Sequence, residues 1–370
     1  MEIAGHPLKR VRARLLEGID APLFAIALGL SAIGLAVLYS ASYENAARVA
    51  SQFANLALAF AVMWGVAQVP PQTLARVALP AYVLALALLL GVAFAGEAVN
   101  GARRWLNLGL VRFQPSEMMK IAMPMMLAWY FHRRERAIRL RDFALAGVLL
   151  VVPVLLVARQ PDLGTALLVA AAGFYVIFFA GISWKVLAGF AAVTLACLPP
   201  LWGLMHDYQR RRILTLLDPS TDPLGAGYHI IQSTIAVGSG GFAGKGWLNG
   251  SQTHLEFIPE RHTDFIFAVF SEEFGLVGNI ALLALYALLI ARGLSIAAGA
   301  ATMFGRLLAG AVTMVFFTYA FVNMGMVAGI LPVVGVPLPF VSYGGSALLT
   351  LFVGIGILMS IQHHRTLVQT

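Results

Sequence analysis

Long apolar runs alternate with short polar connections along most of this chain, and one polar break is far longer than the others. A run of about 17 to 25 apolar residues can cross a bilayer as a helix. The pattern predicts ten such helices, at approximately 21–40, 52–69, 76–95, 116–131, 143–158, 164–181, 185–205, 265–291, 305–330 and 345–361. Pro124 and Pro153 fall inside the fourth and fifth, where the missing backbone donor predicts kinks or tilts. The long break runs from His206 to Asp264 and closes on Leu255-Glu256-Phe257-Ile258-Pro259-Glu260-Arg261-His262-Thr263-Asp264. Structureless connections longer than about 12 to 15 residues are usually functional, so the chemistry is expected here.

Composition agrees with the pattern. Hydrophobic residues make up 60% of the chain and charged residues only 11%, where a soluble domain carries about 25% charge. The predicted class is an all-α polytopic integral membrane protein with about ten transmembrane helices. Residues 1–370 form a single membrane domain, and 206–264 is a large extracytoplasmic loop within it. One cysteine, Cys197, excludes a disulfide framework and a thiolate metal site, and its apolar surroundings predict a small core residue. Lys9, Arg10, Arg12 and Arg14 precede the first run, whose length favours an uncleaved anchor over a signal peptide.

Short loops rich in Lys and Arg stay in the cytoplasm. With both termini inside, the inner segments hold the N-terminal cluster, Arg76, Arg133, Arg134, Arg136, Arg139, Arg141, Lys185, Arg292, Arg306 and Arg365. The outer segments keep Arg48, Arg103, Arg104, Arg112, Arg159, Arg210, Arg211, Arg212, Lys245 and Arg261. So many outer cations suit an anion held at the outer leaflet, although solvated loop charge and headgroup contact account for any single arginine equally well. Arginine is the better phosphate ligand because its planar fork donates two parallel hydrogen bonds.

Asp264 stands where the polar break enters an apolar helix. It either caps that helix or serves as a general base, with Arg261 and His262 nearby to tune it. Burial would raise its pKa and an adjacent arginine would lower it. Glu117 and Lys120, three apart, share a helix face and can pair within a span. Glu272 and Glu273 occupy different faces of the eighth span and would line a cavity or bond neighbouring helices. In Arg159-Gln160-Pro161-Asp162-Leu163-Gly164-Thr165, Asp162 is placed to cap the next helix. The segment 329–346, which contains Ser342 and Tyr343, is too broken by proline and glycine for a helix and is expected to line a cavity. The glycine-rich stretch 238–246 fails as a phosphate loop, with Ser239 where glycine is needed and Gly246 where serine or threonine is needed. The eight histidines show no zinc spacing.

Five stretches together resemble the SEDS family (shape, elongation, division and sporulation) over nearly the whole chain. They are Asn100-Gly101-Ala102-Arg103-Arg104-Trp105 with Phe113-Gln114-Pro115-Ser116-Glu117, Gln160-Pro161-Asp162-Leu163-Gly164-Thr165, Asp222-Pro223-Leu224-Gly225-Ala226-Gly227-Tyr228-His229, Pro259-Glu260-Arg261-His262-Thr263-Asp264-Phe265, and the proline-rich 329–346 segment. Gly244-Lys245-Gly246-Trp247 and Arg261 resemble the rod-shape branch more than the division branch.

The resemblance implies a peptidoglycan glycosyltransferase that polymerises lipid II at the outer face of the bacterial cytoplasmic membrane during elongation. Its implied partners are a class B penicillin-binding protein and other proteins of the rod-shape elongation complex. On that reading Asp264 is the base. Arg103, Arg104, Arg210, Arg211, Arg212, Lys245, Arg261 and His262 bind substrate, and Glu117 with Lys120 shapes the cavity. A divalent cation, magnesium or manganese, could share the work with Asp264 as ligand. No nucleotide or nucleic acid is expected. A lipid II flippase and a non-catalytic scaffold are the competing readings.

Overall fold

The computed structural model describes residues 18–42, 45–99, 102–107, 112–204, 207–222, 225–255, 257–258 and 260–366. All ten expected apolar segments are helices: α1 (Ala21–Ala41), α2 (Ala46–Ala67), α3 (Pro71–Ala95), α4 (Pro115–His132), α5 (Leu140–Ala158), α6 (Leu163–Phe179), α7 (Trp184–Leu204), α11 (Ile266–Ala298), α12 (Met303–Val327) and α13 (Ser346–His363). Seven of them, α1, α2, α3, α5, α11, α12 and α13, are long and apolar enough to cross a membrane. The fourth segment, α4, carries Glu117 and Lys120, and α6 is shorter.

The long polar break is not structureless. It folds into α8 (Asp207–Leu217), a 3₁₀ turn at Pro219–Thr221, α9 (Ala226–Ser239) and the single-turn α10 (Ser251–His254). Between α3 and α4, a small antiparallel sheet of β1 (Glu97–Val99), β2 (Ala102–Asn107) and β3 (Arg112–Phe113) was not foreseen. Lys9, Arg10, Arg12 and Arg14 lie outside the described residues, as do Asn100, Gly101, His206, Pro223, Leu224, Glu256 and Pro259.

α12 is the central helix, buried on nearly every side and packed against α4, α6 and α11. α13 packs on α2, and α1 on α11. A ladder of aromatic rings runs through the centre. Phe316 of α12 meets Phe340 at 5.6 Å, Phe340 meets Phe352 of α13 at 5.1 Å, and Phe352 meets Phe60 of α2 at 4.6 Å. Outward faces stay apolar, as at Phe53, Leu84, Val148 and Ile280, which suits a hydrocarbon solvent. α7 is exposed along nearly its whole length, so Cys197 is exposed rather than in the core. The expectation failed because an apolar run reports burial in protein or in lipid without distinguishing them.

α4 and α5 run through Pro124 and Pro153 without interruption. A break in helical geometry falls in α11, at Gly275, with φ 62° and ψ −159°. Only glycine adopts that conformation readily. The interruption frees backbone groups, and the glycine-rich stretch satisfies them: Lys245 N and Gly246 N donate to Glu272 O and Glu273 O, while Leu276 N and Val277 N donate to Gly241 O and Phe242 O. The residues that fail as a phosphate loop are thus glycines for close backbone approach. A Cβ on Gly275 would stand 2.3 Å from Gly244 N. Gly275→Ala is therefore expected to lose on the order of 2–3 kcal/mol of stability from strain and steric clash together, read as a lowered thermal midpoint in detergent. Gly91→Ala, in open space on α3, is the control and should leave the midpoint unchanged.

Candidate active site

The segment from Glu260 to Phe265 is held on three sides. Tyr343 N donates to His262 O at 2.9 Å, and Ser342 Oγ to Thr263 O at 2.6 Å. From α12, Asn323 Nδ2 donates to Asp264 O at 2.8 Å and to Val336 O at 2.7 Å. Arg261 Nε reaches Ala41 O at the end of α1, 2.8 Å away. The His229 ring of α9 stacks at 5.5 Å on Phe265.

Within this frame the Asp264 side chain is half-buried and stands beside Gly335, where a Cβ would lie 3.3 Å from Oδ2. It does not cap α11, whose N-cap is Phe265 with no side-chain bond. Among the described residues no lysine or arginine pairs with it. Burial therefore pushes its carboxyl up to about 6, and the neighbouring Glu260 carboxylate adds to the rise. The tuning expected from Arg261 and His262 is absent because both side chains are engaged elsewhere.

His262 accepts a hydrogen bond at Nε2 from the Arg48 guanidinium, which can only donate. Burial, then Arg48 and Arg261, lowers its pKa to about 4, so the ring is neutral at physiological pH. Nδ1 then carries the proton, a buried donor with no partner among the described residues.

The start of α6 abuts the residues on either side of Gly335. Gly164 abuts Val334 O, and Asp162 Oδ1 accepts from Thr165 N at 3.1 Å, the expected helix cap. Arg104 of β2 donates to Gln160 O at 3.3 Å and Pro161 O at 2.6 Å and lies 3.8 Å from Asp162. Gly164 and Asp264 thus both lie against one irregular stretch, Val334–Val336.

The remaining candidates separate from this centre. Lys245 Nζ lies 2.6 Å from Glu272 Oε1, and Glu272 also accepts from Gln252 N at 2.9 Å and Ser251 Oγ at 3.2 Å, so this pair ties the glycine-rich loop to α11. Glu273 turns to Ser40 of α1. Arg210 caps the end of α7 through Trp202 O at 2.9 Å and Gly203 O at 2.7 Å. Arg211 is exposed and Arg212 half-buried. The Arg103 side chain lies outside what is described.

Glu117 and Lys120 do pair, at 2.6 Å, and Lys120 also donates to Tyr319 Oη at 2.5 Å. All three are buried, and Lys120 and Tyr319 border a small void with Phe316 and Leu351. Among the described residues no three His, Cys, Asp or Glu side chains gather as a metal cage.

Gln52 and Asn323 were missed, and Arg48, named only as an outer cation, was not expected to bond His262. Gln52 grips the other irregular loop through Ser342 O at 3.3 Å and Gly344 N at 3.3 Å. A lone Asn or Gln in an apolar run is costly unless bonded, which was the available signal.

The chain matches the FtsW/RodA/SpoVE family, described as cell cycle protein, over residues 20–367. It is 53% identical over 348 residues to the peptidoglycan glycosyltransferase MrdB of Escherichia coli K12, covering 94% of each chain. It is 36% identical over 360 residues to a probable peptidoglycan glycosyltransferase FtsW of Idiomarina loihiensis, covering 94% of this chain and 87% of that one. Among solved structures it resembles a chain of a peptidoglycan synthase complex that coordinates polymerization and crosslinking (TM-score 0.82, 35% identity, 94% and 98% covered). It also resembles the rod shape determining protein RodA of Thermus thermophilus (TM-score 0.71, 30% identity, 94% and 97% covered). With this match over nearly its full length, the chain belongs to the FtsW/RodA/SpoVE family of membrane proteins.

Proposed function

We propose that this chain is a peptidoglycan glycosyltransferase that polymerises lipid II during elongation, with Asp264 as its general base. The observation that carries the reading is a half-buried carboxylate, unpaired among the described residues, on a segment fixed by Asn323, Ser342 and Tyr343. A pKa near 6 suits a base working at neutral pH, ionised yet basic enough to take a proton. Asp264 removes the proton of the acceptor GlcNAc 4-hydroxyl, whose oxygen attacks the donor anomeric carbon. The bond to the lipid diphosphate breaks, with inversion. Arg48, bonded to His262, is a cation attached to this loop that can meet the departing charge, and the His262 Nδ1–H is a donor for a sugar oxygen. Arg210, Arg211 and Arg212 are proposed as further diphosphate contacts. Lys245 serves chiefly as a structural tie.

Glu260 and Asp264 offer two carboxylate oxygen donors to a magnesium or manganese ion, which would supply Lewis-acid neutralisation of the diphosphate. We further propose that the site faces the outer side of the cytoplasmic membrane, with both termini cytoplasmic. The structural relative's synthase complex favours pairing with a class B penicillin-binding protein. Consumption of lipid II in detergent, where there are no compartments to cross, separates an enzyme from a flippase or a scaffold.

Asp264→Asn should reduce polymerisation of purified lipid II by several orders of magnitude while the thermal midpoint at pH 8 stays the same or rises. The rise follows because burial disfavours the ionised carboxylate, so its raised pKa costs stability above about pH 6. Retained polymerisation would remove the base assignment. In wild type, kcat/KM should increase tenfold per pH unit below about pH 6 and level off above it, and a profile flat from pH 5 to 8 contradicts the assignment. Lys120→Met should cost about 3–5 kcal/mol by leaving Glu117 unpaired, and Glu117→Gln in the same chain should restore most of it. Equal midpoints for the single and double variants would show that the pair carries no structural load.

A further inference from the structure

At the end of the molecule where α4 turns into α5, five arginines fall within nine residues: Arg133, Arg134, Arg136, Arg139 and Arg141. Three of them, Arg133, Arg134 and Arg136, line an open concavity of about 780 Å³ together with His132, Glu135 and Ala137. Arg134 pairs with Asp142 at 3.0 Å, with its guanidinium over Tyr130. Among the described residues Arg133, Arg136, Arg139 and Arg141 make no ion pair, and Arg133 lies over the Trp129 ring at 4.8 Å.

Arg306 joins them from α12, 3.6 Å from Glu135. It occupies the first turn of that helix, where the dipole favours an anion over a cation. Its position is explained if an anion sits beside it, and Glu135, which also meets His132 at 3.4 Å, occupies part of that place.

Two apolar grooves open on either side of this cluster. One, of about 390 Å³, lies between α6, α11 and α12, with Arg306 on its wall beside Phe179, Leu294, Ala298 and Leu307. The other, of about 350 Å³, lies between α5, α6 and α7 and begins at Leu140 and Phe143, directly after Arg139. Cations at the mouths of apolar grooves match an anionic lipid and do not match a soluble anion, which would leave the grooves unfilled.

We propose that this region is a binding site for an anionic phospholipid with two phosphates, a diphosphatidylglycerol. Its phosphates lie on Arg133, Arg136 and Arg306, and its acyl chains divide between the two grooves. The site is separate from Asp264 and needs no part of the glycosyl transfer.

The test uses the full chain in nanodiscs of phosphatidylcholine, with diphosphatidylglycerol or phosphatidylglycerol titrated in, and reads bound lipid by native mass spectrometry and the thermal midpoint. Diphosphatidylglycerol should bind in preference to both other lipids. Arg133→Gln, Arg136→Gln and Arg306→Gln should each weaken it about fivefold. Glu135→Gln should strengthen it, since it removes the competing carboxylate. Ala298→Phe, an exposed position on the first groove, should weaken the lipid without changing the response to inorganic phosphate. Equal binding of phosphatidylcholine, indifference to all three arginine changes, or full stabilisation by inorganic phosphate alone would each overturn the proposal.

Discussion

The architecture depends on satisfying irregular backbone without water. A chain crossing a bilayer can interrupt a helix only where other groups accept the freed amides and carbonyls. Here three interruptions meet that requirement largely with one another. The break in α11 at Gly275 is filled by the glycine-rich loop. The segment carrying Asp264 and the stretch 329–346 bond to each other through Tyr343, Ser342 and, by way of α12, Asn323. Each irregular piece is therefore rigid, and the rigidity belongs to backbone contacts more than to side-chain charge.

This has an electrostatic corollary. The nearby cations are drawn into the frame: Arg261 to a carbonyl of α1, Lys245 to Glu272, Arg104 to the turn before α6. Among the described residues Asp264 has no countercharge, so burial, with Glu260 beside it, raises its proton affinity. A carboxylate ringed by arginines would be a weaker base, and the structure avoids that by spending its cations on carbonyls and on other acids.

The helices were legible from apolar run length alone, and so was the Glu117–Lys120 pair, because both are local properties of sequence. The family resemblance rested on motifs such as Pro161-Asp162-Leu163-Gly164, whose glycine proves to be a packing requirement against Val334. What was illegible was non-local. Nothing in the neighbourhood of Arg48 or Asn323 says that positions more than fifty residues away will bond to them. The assignment of Lys245 to phosphate binding overlooked that a carboxylate 27 positions later, Glu272, would claim it. The reading of Cys197 as core failed for a related reason, since hydropathy cannot tell a neighbouring helix from lipid.

That last difference has a practical side. Cys197 is the single thiol of the chain and sits on α7, the helix least enclosed by its neighbours. A spin label or fluorophore attached there needs no background cysteine removed and perturbs no packed core. The native sequence thus already carries a reporter on the element that faces its surroundings most fully.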